Sequence, residues 1–354
     1  MNRLYNQVRR PVKRQYADDY LLLTLLSFAA SVAGTRLFLE ITGYPQLGGG
    51  GIHIAHVLWG GMLLFAASLL PLILANRWVY PLTALIAGTG VGLFIDEVGK
   101  FITSNNDYFF PAAAPIIYAF FLVIVLIYAR IRRPPPTDVR LELYHALDAL
   151  EEVLDHDMEE KELLELRSRL HAVTQQAIHP DLAQLAVGLL QYLEREDIHL
   201  VVEIPTFWQR LINRWTALET RYVTEKRIRA LIIGGLFGLG INSFYSTVLA
   251  LTARFTPEIP ISAQGTVYWF FARVGLDGVV ALMLIVSAIF MLFGQVQRGL
   301  SYSYYSLILA LTTVNLLVFY FNQFSTIIPA LVQFTLLLLV IYYRRHFLNP
   351  GDQK

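Results

Sequence analysis

Two histidines three residues apart, His53 and His56, and two adjacent carboxylates, Asp96 and Glu97, are the groups in this sequence best suited to chemistry. Imidazoles at i and i+3 share one face of a helix and can offer both ring nitrogens to one ion. With one or two carboxylates they make a ligand set for a divalent metal: zinc, iron or manganese. Such a metal would activate water or polarise a lipid-linked or small substrate, and a carboxylate of Asp96 or Glu97 left out of the ligand set would be the general base. Without a metal, the same group would serve a transporter or relay protons. A third alternative, pairing alone, fits a non-catalytic accessory subunit. Lys100 stands at i+4 from Asp96, the spacing of an ordinary ion pair. Arg36 with Glu40 and Arg273 with Asp277 have the same spacing, so mutual neutralisation is their first reading. Arg273 is also the candidate to grip a substrate anion or headgroup phosphate by a forked contact, with Asp277, Arg36, Glu40 and Lys100 as the other substrate-side candidates.

The elements that must position these groups are membrane helices. The chain of 354 residues is 55% hydrophobic and 16% charged, with a mean hydropathy of +0.50, whereas a soluble domain carries about 25% charge. Of its 27 acidic residues, 18 fall between Asp138 and Glu225, the pattern of apolar spans joined by one polar insert. A net charge of +1 argues against nucleic acid, which needs a basic face. With no cysteine, disulfides, thiolate metal sites and thiol catalysis are excluded.

Windows of about 20 apolar residues fall at 20–41, 52–75, 79–101, 112–131, 228–252, 267–294, 301–322 and 325–344, which predicts an all-α polytopic protein of eight spans in two groups of four. Basic residues crowd every second connection: Lys13 and Arg14 before the first span, Arg77, Arg130 with Arg132 and Arg133, Lys226 with Arg227, Arg298, and Arg344 with Arg345. That asymmetry places both termini and the insert in the cytoplasm. The same pattern predicts a basic cytoplasmic N-terminus (1–19), a first membrane domain of four spans (20–133), a cytoplasmic helical insert (134–226), a second membrane domain of four spans (227–347) and a short cytoplasmic tail (348–354). Counted along spans of alternating direction at 1.5 Å per residue, His53, His56, Asp96, Glu97 and Lys100 lie within about a turn of the outer surface. Arg273, Asp277, Asn242, Ser243, Asn315 and Gln333 sit in the outer halves of theirs, a polar layer costly in lipid.

The insert reads as amphipathic helices, with Leu141, Tyr144, Leu147, Leu150 and Leu154, then Leu163, Leu166 and Leu170, then Leu182, Leu185, Leu189 and Leu193 at three- and four-residue spacing, broken near Asp157 and at Pro180. It is the candidate docking surface for a protein partner, as the bilayer is the partner of the spans. Phe207, Trp208 and Trp215, with Arg210 and Arg214, read as a stretch lying along the inner interface. Gly88, Gly90 and Gly92, and Gly234, Gly235, Gly238 and Gly240, read as small faces for close helix packing.

Ile-His-Ile-Ala-His-Val-Leu-Trp-Gly at 52–60, followed by Gly-Leu-Phe-Ile-Asp-Glu-Val at 92–98, resembles a group of uncharacterised prokaryotic multipass membrane proteins. That group has an Ile-His-x-His-His-x-x-Trp-Gly helix start and an Asp-Glu pair on the next helix. The resemblance covers residues 50–125 and implies that His53, His56, Asp96 and Glu97 form one group. Ala55 stands where the pattern has its middle histidine. The resemblance carries no activity.

Overall fold

The computed structural model describes residues 11–43, 55–133, 138–156, 158–176, 179–194, 200–201, 224–253, 264–322 and 326–348. His53, His199 and the aromatic stretch at 207–215 lie outside them. The helices are α1 (Ala17–Thr42), α2 (His56–Ile73), α3 (Val79–Ile95), α4 (Val98–Ile102), α5 (Ala113–Ile131), α6 (Val139–Leu154), α7 (Glu160–Gln176), α8 (Pro180–Leu193), α9 (Glu225–Ala253), α10 (Gln264–Leu292), α11 (Val296–Leu309), α12 (Asn315–Asn322) and α13 (Ile327–Tyr343). A π-helical turn, Ala310–Val314, joins α11 to α12. Among the described residues seven helical stretches are long and apolar enough to cross a bilayer, and α3 is a shorter apolar helix. Many large apolar side chains on them point outward, among them Ile41, Phe65, Leu72, Leu126 and Ile328. Lipid is the solvent that accommodates such a surface. The chain is an all-α polytopic membrane protein.

By its contacts the chain falls into two compact units, Met1–Phe94 with Val123–Phe207, and Ile95–Leu122 with Trp208–Lys354. In the first, α1 begins with Asp18 and Asp19, which favour the positive end of the helix dipole. It ends at Gly43, whose φ of 72° lets its N–H reach back to the Leu39 carbonyl. Helix α3 packs against both α1 and α2 through glycines on two faces. A Cβ at Gly92 would stand 2.7 Å from that of Ser31, and one at Gly60 would stand 2.7 Å from the Phe94 nitrogen and 2.8 Å from the Gly90 carbonyl oxygen. Ser31 Oγ donates to the Thr89 carbonyl at 3.0 Å, tying α1 to α3.

Helices α6 to α8 form a core of their own from Leu143, Ala146, Val153, Met158, Leu163, Leu166, Leu170, Val173, Ala186, Leu190 and Leu193. Asp138 caps α6 by accepting from the Arg140 N–H at 3.1 Å, and Pro180 opens α8, where its missing N–H costs nothing. In α6 the core register differs from the leucine stripe. Tyr144, Leu147 and Leu154 are exposed, while Leu141 of the stripe is buried together with Leu143, Ala146 and Val153, and Leu150 packs beside the core. The carboxylates of α6 decide this orientation. Glu152 pairs with Arg77, Asp148 lies 3.7 Å from Arg14, and Asp155 accepts from Asn76 at 3.0 Å. Thus α6 is held against the segment before α1 and the α2–α3 turn.

In the second unit α9, α10, α11 and α13 surround a core that includes Ile232, Leu236, Leu284, Met291, Leu307 and Tyr343. Gly240 receives Ile285 of α10 and Gly235 receives Leu336 of α13, each at less than 3 Å from a built Cβ, whereas Gly234 and Gly238 have nothing within 4 Å. The expected small face of α9 is therefore two positions rather than four.

Candidate functional site

The expected third span, 79–101, is not one helix. Helix α3 ends at Ile95, Asp96 and Glu97 form a turn, and α4 resumes at Val98. Glu97 sits at φ −90°, ψ 10°, the sparsely occupied bridge region where active-site residues recur. Both carboxylates are buried, Asp96 at 0% and Glu97 at 1% exposure. The 17 residues of α3 reach about 25 Å, less than a hydrocarbon core about 30 Å thick. Irregular backbone within a bilayer is tolerated only where protein or a cavity covers it.

What covers it is built from the next twenty residues. Gly99 allows the returning loop to approach, since a Cβ there would stand 2.7 Å from the Asp107 carbonyl oxygen and 3.1 Å from that of Tyr108. Thr103 Oγ1 donates to the Gly99 carbonyl and accepts from the Asp107 N–H, both at 2.7 Å. Asp107 accepts from the Phe109 N–H at 2.9 Å, a self-closed turn of the kind Asp favours. This scaffold delivers Tyr108, whose hydroxyl donates to Asp96 Oδ2 at 2.7 Å. Lys100 Nζ lies 3.3 Å from Glu97 Oε1 and 5.2 Å from the centre of the Tyr108 ring. The expected Asp96–Lys100 pair is replaced by two others, Asp96 with Tyr108 and Glu97 with Lys100. Each buried carboxylate thereby has a proton-bearing partner of its own.

A second polar group lies in the same unit. Ser243 and Ser246 lie on α9, and Arg273 and Asp277, one turn apart, on α10; Ser246 Oγ donates to the Asn242 and Ser243 carbonyls at 3.0 and 3.1 Å. The Arg273 guanidinium stands 5.5 Å over the Phe321 ring. A third group crosses three helices: Asn315 donates to Gln333 at 2.9 Å, and Tyr118 donates to the Leu311 carbonyl inside the π-helical turn, its ring stacked 4.6 Å from that of Phe319. A π-helical turn shifts the backbone register and leaves a carbonyl for a side chain. Tyr108 and Tyr118 are absent from the sequence-based candidates, which were chosen among charged residues, histidines and amides.

The other candidates are placed as follows. His56 opens α2 in the first unit, whereas Asp96 and Glu97 belong to the second. Arg36 is buried on α1 and Glu40 is exposed. Among the described residues these two do not pair with each other, contrary to the i,i+4 expectation. Among the described residues no three His, Asp or Glu side chains are grouped to hold a metal.

Fold and site define the class, a polytopic helical membrane protein with a buried, individually partnered carboxylate pair at a helix break. In comparisons with known proteins no family model matches the chain, and neither a curated protein nor a solved structure does.

Proposed function

We propose that the protein handles protons at the Asp96–Glu97 break, as an acid–base or proton-relay site near the outer face of a prokaryotic cytoplasmic membrane. The observation that carries this reading is the partnering: Asp96 takes a hydrogen bond from a hydroxyl and Glu97 is charge-balanced by an ammonium. Such groups can pass a proton between Asp96 and a substrate or water through Tyr108. A divalent metal on His53, His56, Asp96 and Glu97 is the rival. The close packing of α2 on α3 at Gly60 supports it, and the Lys100 charge beside Glu97 weighs against it, because it would repel the ion. The orientation, with both termini and the insert cytoplasmic, is supported by the meeting of Arg14 and Arg77 with the insert, since all three were assigned to one side from charge alone.

The test is an infrared titration of the purified protein between about pH 4 and pH 9, the range over which buried carboxyls protonate. One carboxyl band should titrate and be lost in Asp96→Asn but kept in Glu40→Gln. Elemental analysis runs beside it. A stoichiometric metal, present in the wild type and lost in both His56→Ala and Asp96→Asn, would replace proton handling with a metal centre.

A further inference from the structure

Helix α9 turns two of its glycines inward, Gly235 to Leu336 and Gly240 to Ile285, and two outward. Gly234 and Gly238 are exposed, and a Cβ built on either meets no atom within 4 Å. They stand four residues apart, and Asn242 follows four residues further on, with Ile241, Tyr245 and Leu249 exposed beside it. At this spacing the six share one face of the helix.

The informative member is Asn242. Along α9 it lies about 20 Å from Arg229 and about 16 Å from Ala253, inside a stretch long and apolar enough to cross a bilayer. Its short side chain cannot reach water from there as a lysine would. Among the described residues its carboxamide makes no hydrogen bond, and only its backbone carbonyl is engaged, by the Ser246 hydroxyl at 3.0 Å. The exposed hydroxyls of Thr252, Thr312 and Thr335 differ: each donates to the carbonyl four residues back on its own helix, at 3.1, 2.7 and 2.8 Å. A carboxamide, with two donors and an acceptor, has no such local answer. Unpaired polar groups are costly in hydrocarbon, so this face calls for a partner within the membrane.

The partner must bring a donor and an acceptor to the depth of Asn242, on a helix able to lie against two glycines. A second copy inserted in the same direction does both. A two-fold axis along the bilayer normal lays α9 on its equivalent, glycine on glycine, and a carboxamide both donates and accepts, so each Asn242 satisfies the other. Small residues four apart and a polar side chain on the same face are recurrent means of association between membrane helices. We propose that the protein pairs with a second copy of itself through the Gly234, Gly238 and Asn242 face of α9. The pairing is independent of the chemistry at Asp96.

The experiment uses the full chain in phosphatidylglycerol–phosphatidylcholine vesicles at several protein-to-lipid ratios. The native chain has no cysteine, so single cysteines report contact. On oxidation Tyr245→Cys should give a covalent dimer, and Leu282→Cys, also exposed but on α10, should not. Energy transfer between copies labelled at Ser168→Cys measures the association. Asn242→Leu should weaken it about tenfold, the size of one interhelical polar contact, and Asn242→Gln should keep most of it. Gly238→Ile should abolish both signals yet leave the unfolding temperature of the dilute, unpaired chain unchanged, because its own fold leaves that space open. Asn242→Leu, apolar on a lipid-facing surface, decides by itself if Gly238→Ile fails to fold. Equal cross-linking at positions 245 and 282 would mean random collision and overturn the proposal. Energy transfer untouched by Asn242→Leu, or a chain that stays single at every ratio, would overturn it as well.

Discussion

Lys100 is 24% exposed while the carboxylate it meets is almost wholly covered, and this asymmetry makes the pair testable. Lys100→Met would leave Glu97 charged and buried, at a cost of about 1–3 kcal/mol, towards the lower end because water reaches the ammonium. Glu97→Gln in the same background should recover most of that loss, giving a coupling visible in a double-mutant cycle of unfolding temperatures. Strictly additive losses would mean the two groups do not interact. Tyr108→Phe removes the donor to Asp96 with little change in shape, and should shift the infrared titration of the Asp96 carboxyl without unfolding the protein. An unmoved titration would remove Tyr108 from the relay. These residues act through a scaffold of Gly99, Thr103 and Asp107 in which no member has reactive chemistry of its own. Reactivity was the signal the sequence reading followed, and Tyr108 was therefore invisible to it.

At the scale of elements, glycines mark where helices touch. Gly88→Leu should be severely destabilising, because the first added carbon already collides with Ser27 and Thr24 of α1, while Gly234→Ala should be neutral or stabilising by up to about 1 kcal/mol through helix propensity. Thermal unfolding in detergent distinguishes them, and equal effects would contradict the packing. Helix α6 offers a pH test. Burial first, and then the neighbouring Asp148, raise the Glu151 pKa above the usual carboxylate value. The folded state thus favours the protonated form, so the Glu151 contribution is fullest below the ordinary glutamate range and is lost as pH rises through the elevated value. Glu151→Gln should stabilise the insert near neutral pH and flatten its pH dependence. A variant less stable than wild type at neutral pH would refute this. Spans were legible because 20 apolar residues have few alternatives, and the helix start at Pro180 because proline chemistry is local. The register of α6 was not legible, since its leucines fit two faces and the choice rests on carboxylates meeting Arg14 and Arg77 far away in sequence.

For the whole molecule the decisive prediction is topological. Cysteines placed at Ser104 and Ser262 should react with an impermeant thiol reagent in intact cells, and one at Ser168 should not; the native chain has no cysteine to confuse the result. Labelling at 168 alone would invert the orientation and move the Asp96–Glu97 break to the inner face. The charge asymmetry that predicts this orientation was legible in sequence, whereas the helix break was not, because Asp96, Glu97 and Lys100 read as polar groups carried within one window that ends in apolar Phe101.

The clamp between α6 and the basic turn carries a consequence for how the protein is made. Arg14 and Arg77 leave the ribosome long before their carboxylate partners: α6 begins about 60 residues after Arg77, which at about 5–20 residues per second is a delay of several seconds. During that interval the arginines lack their α6 partners, and on the orientation expected from charge they would be available as signals; afterwards Glu152 pairs with Arg77 and Asp148 lies 3.7 Å from Arg14. Neutralising Asp148 and Glu152 should therefore leave the labelling pattern intact while exposing α6 to protease, whereas neutralising Arg14 and Arg77 should disturb the topology itself. A protease pattern unchanged by the first pair, or a topology unchanged by the second, would show that the charges are not used in this order.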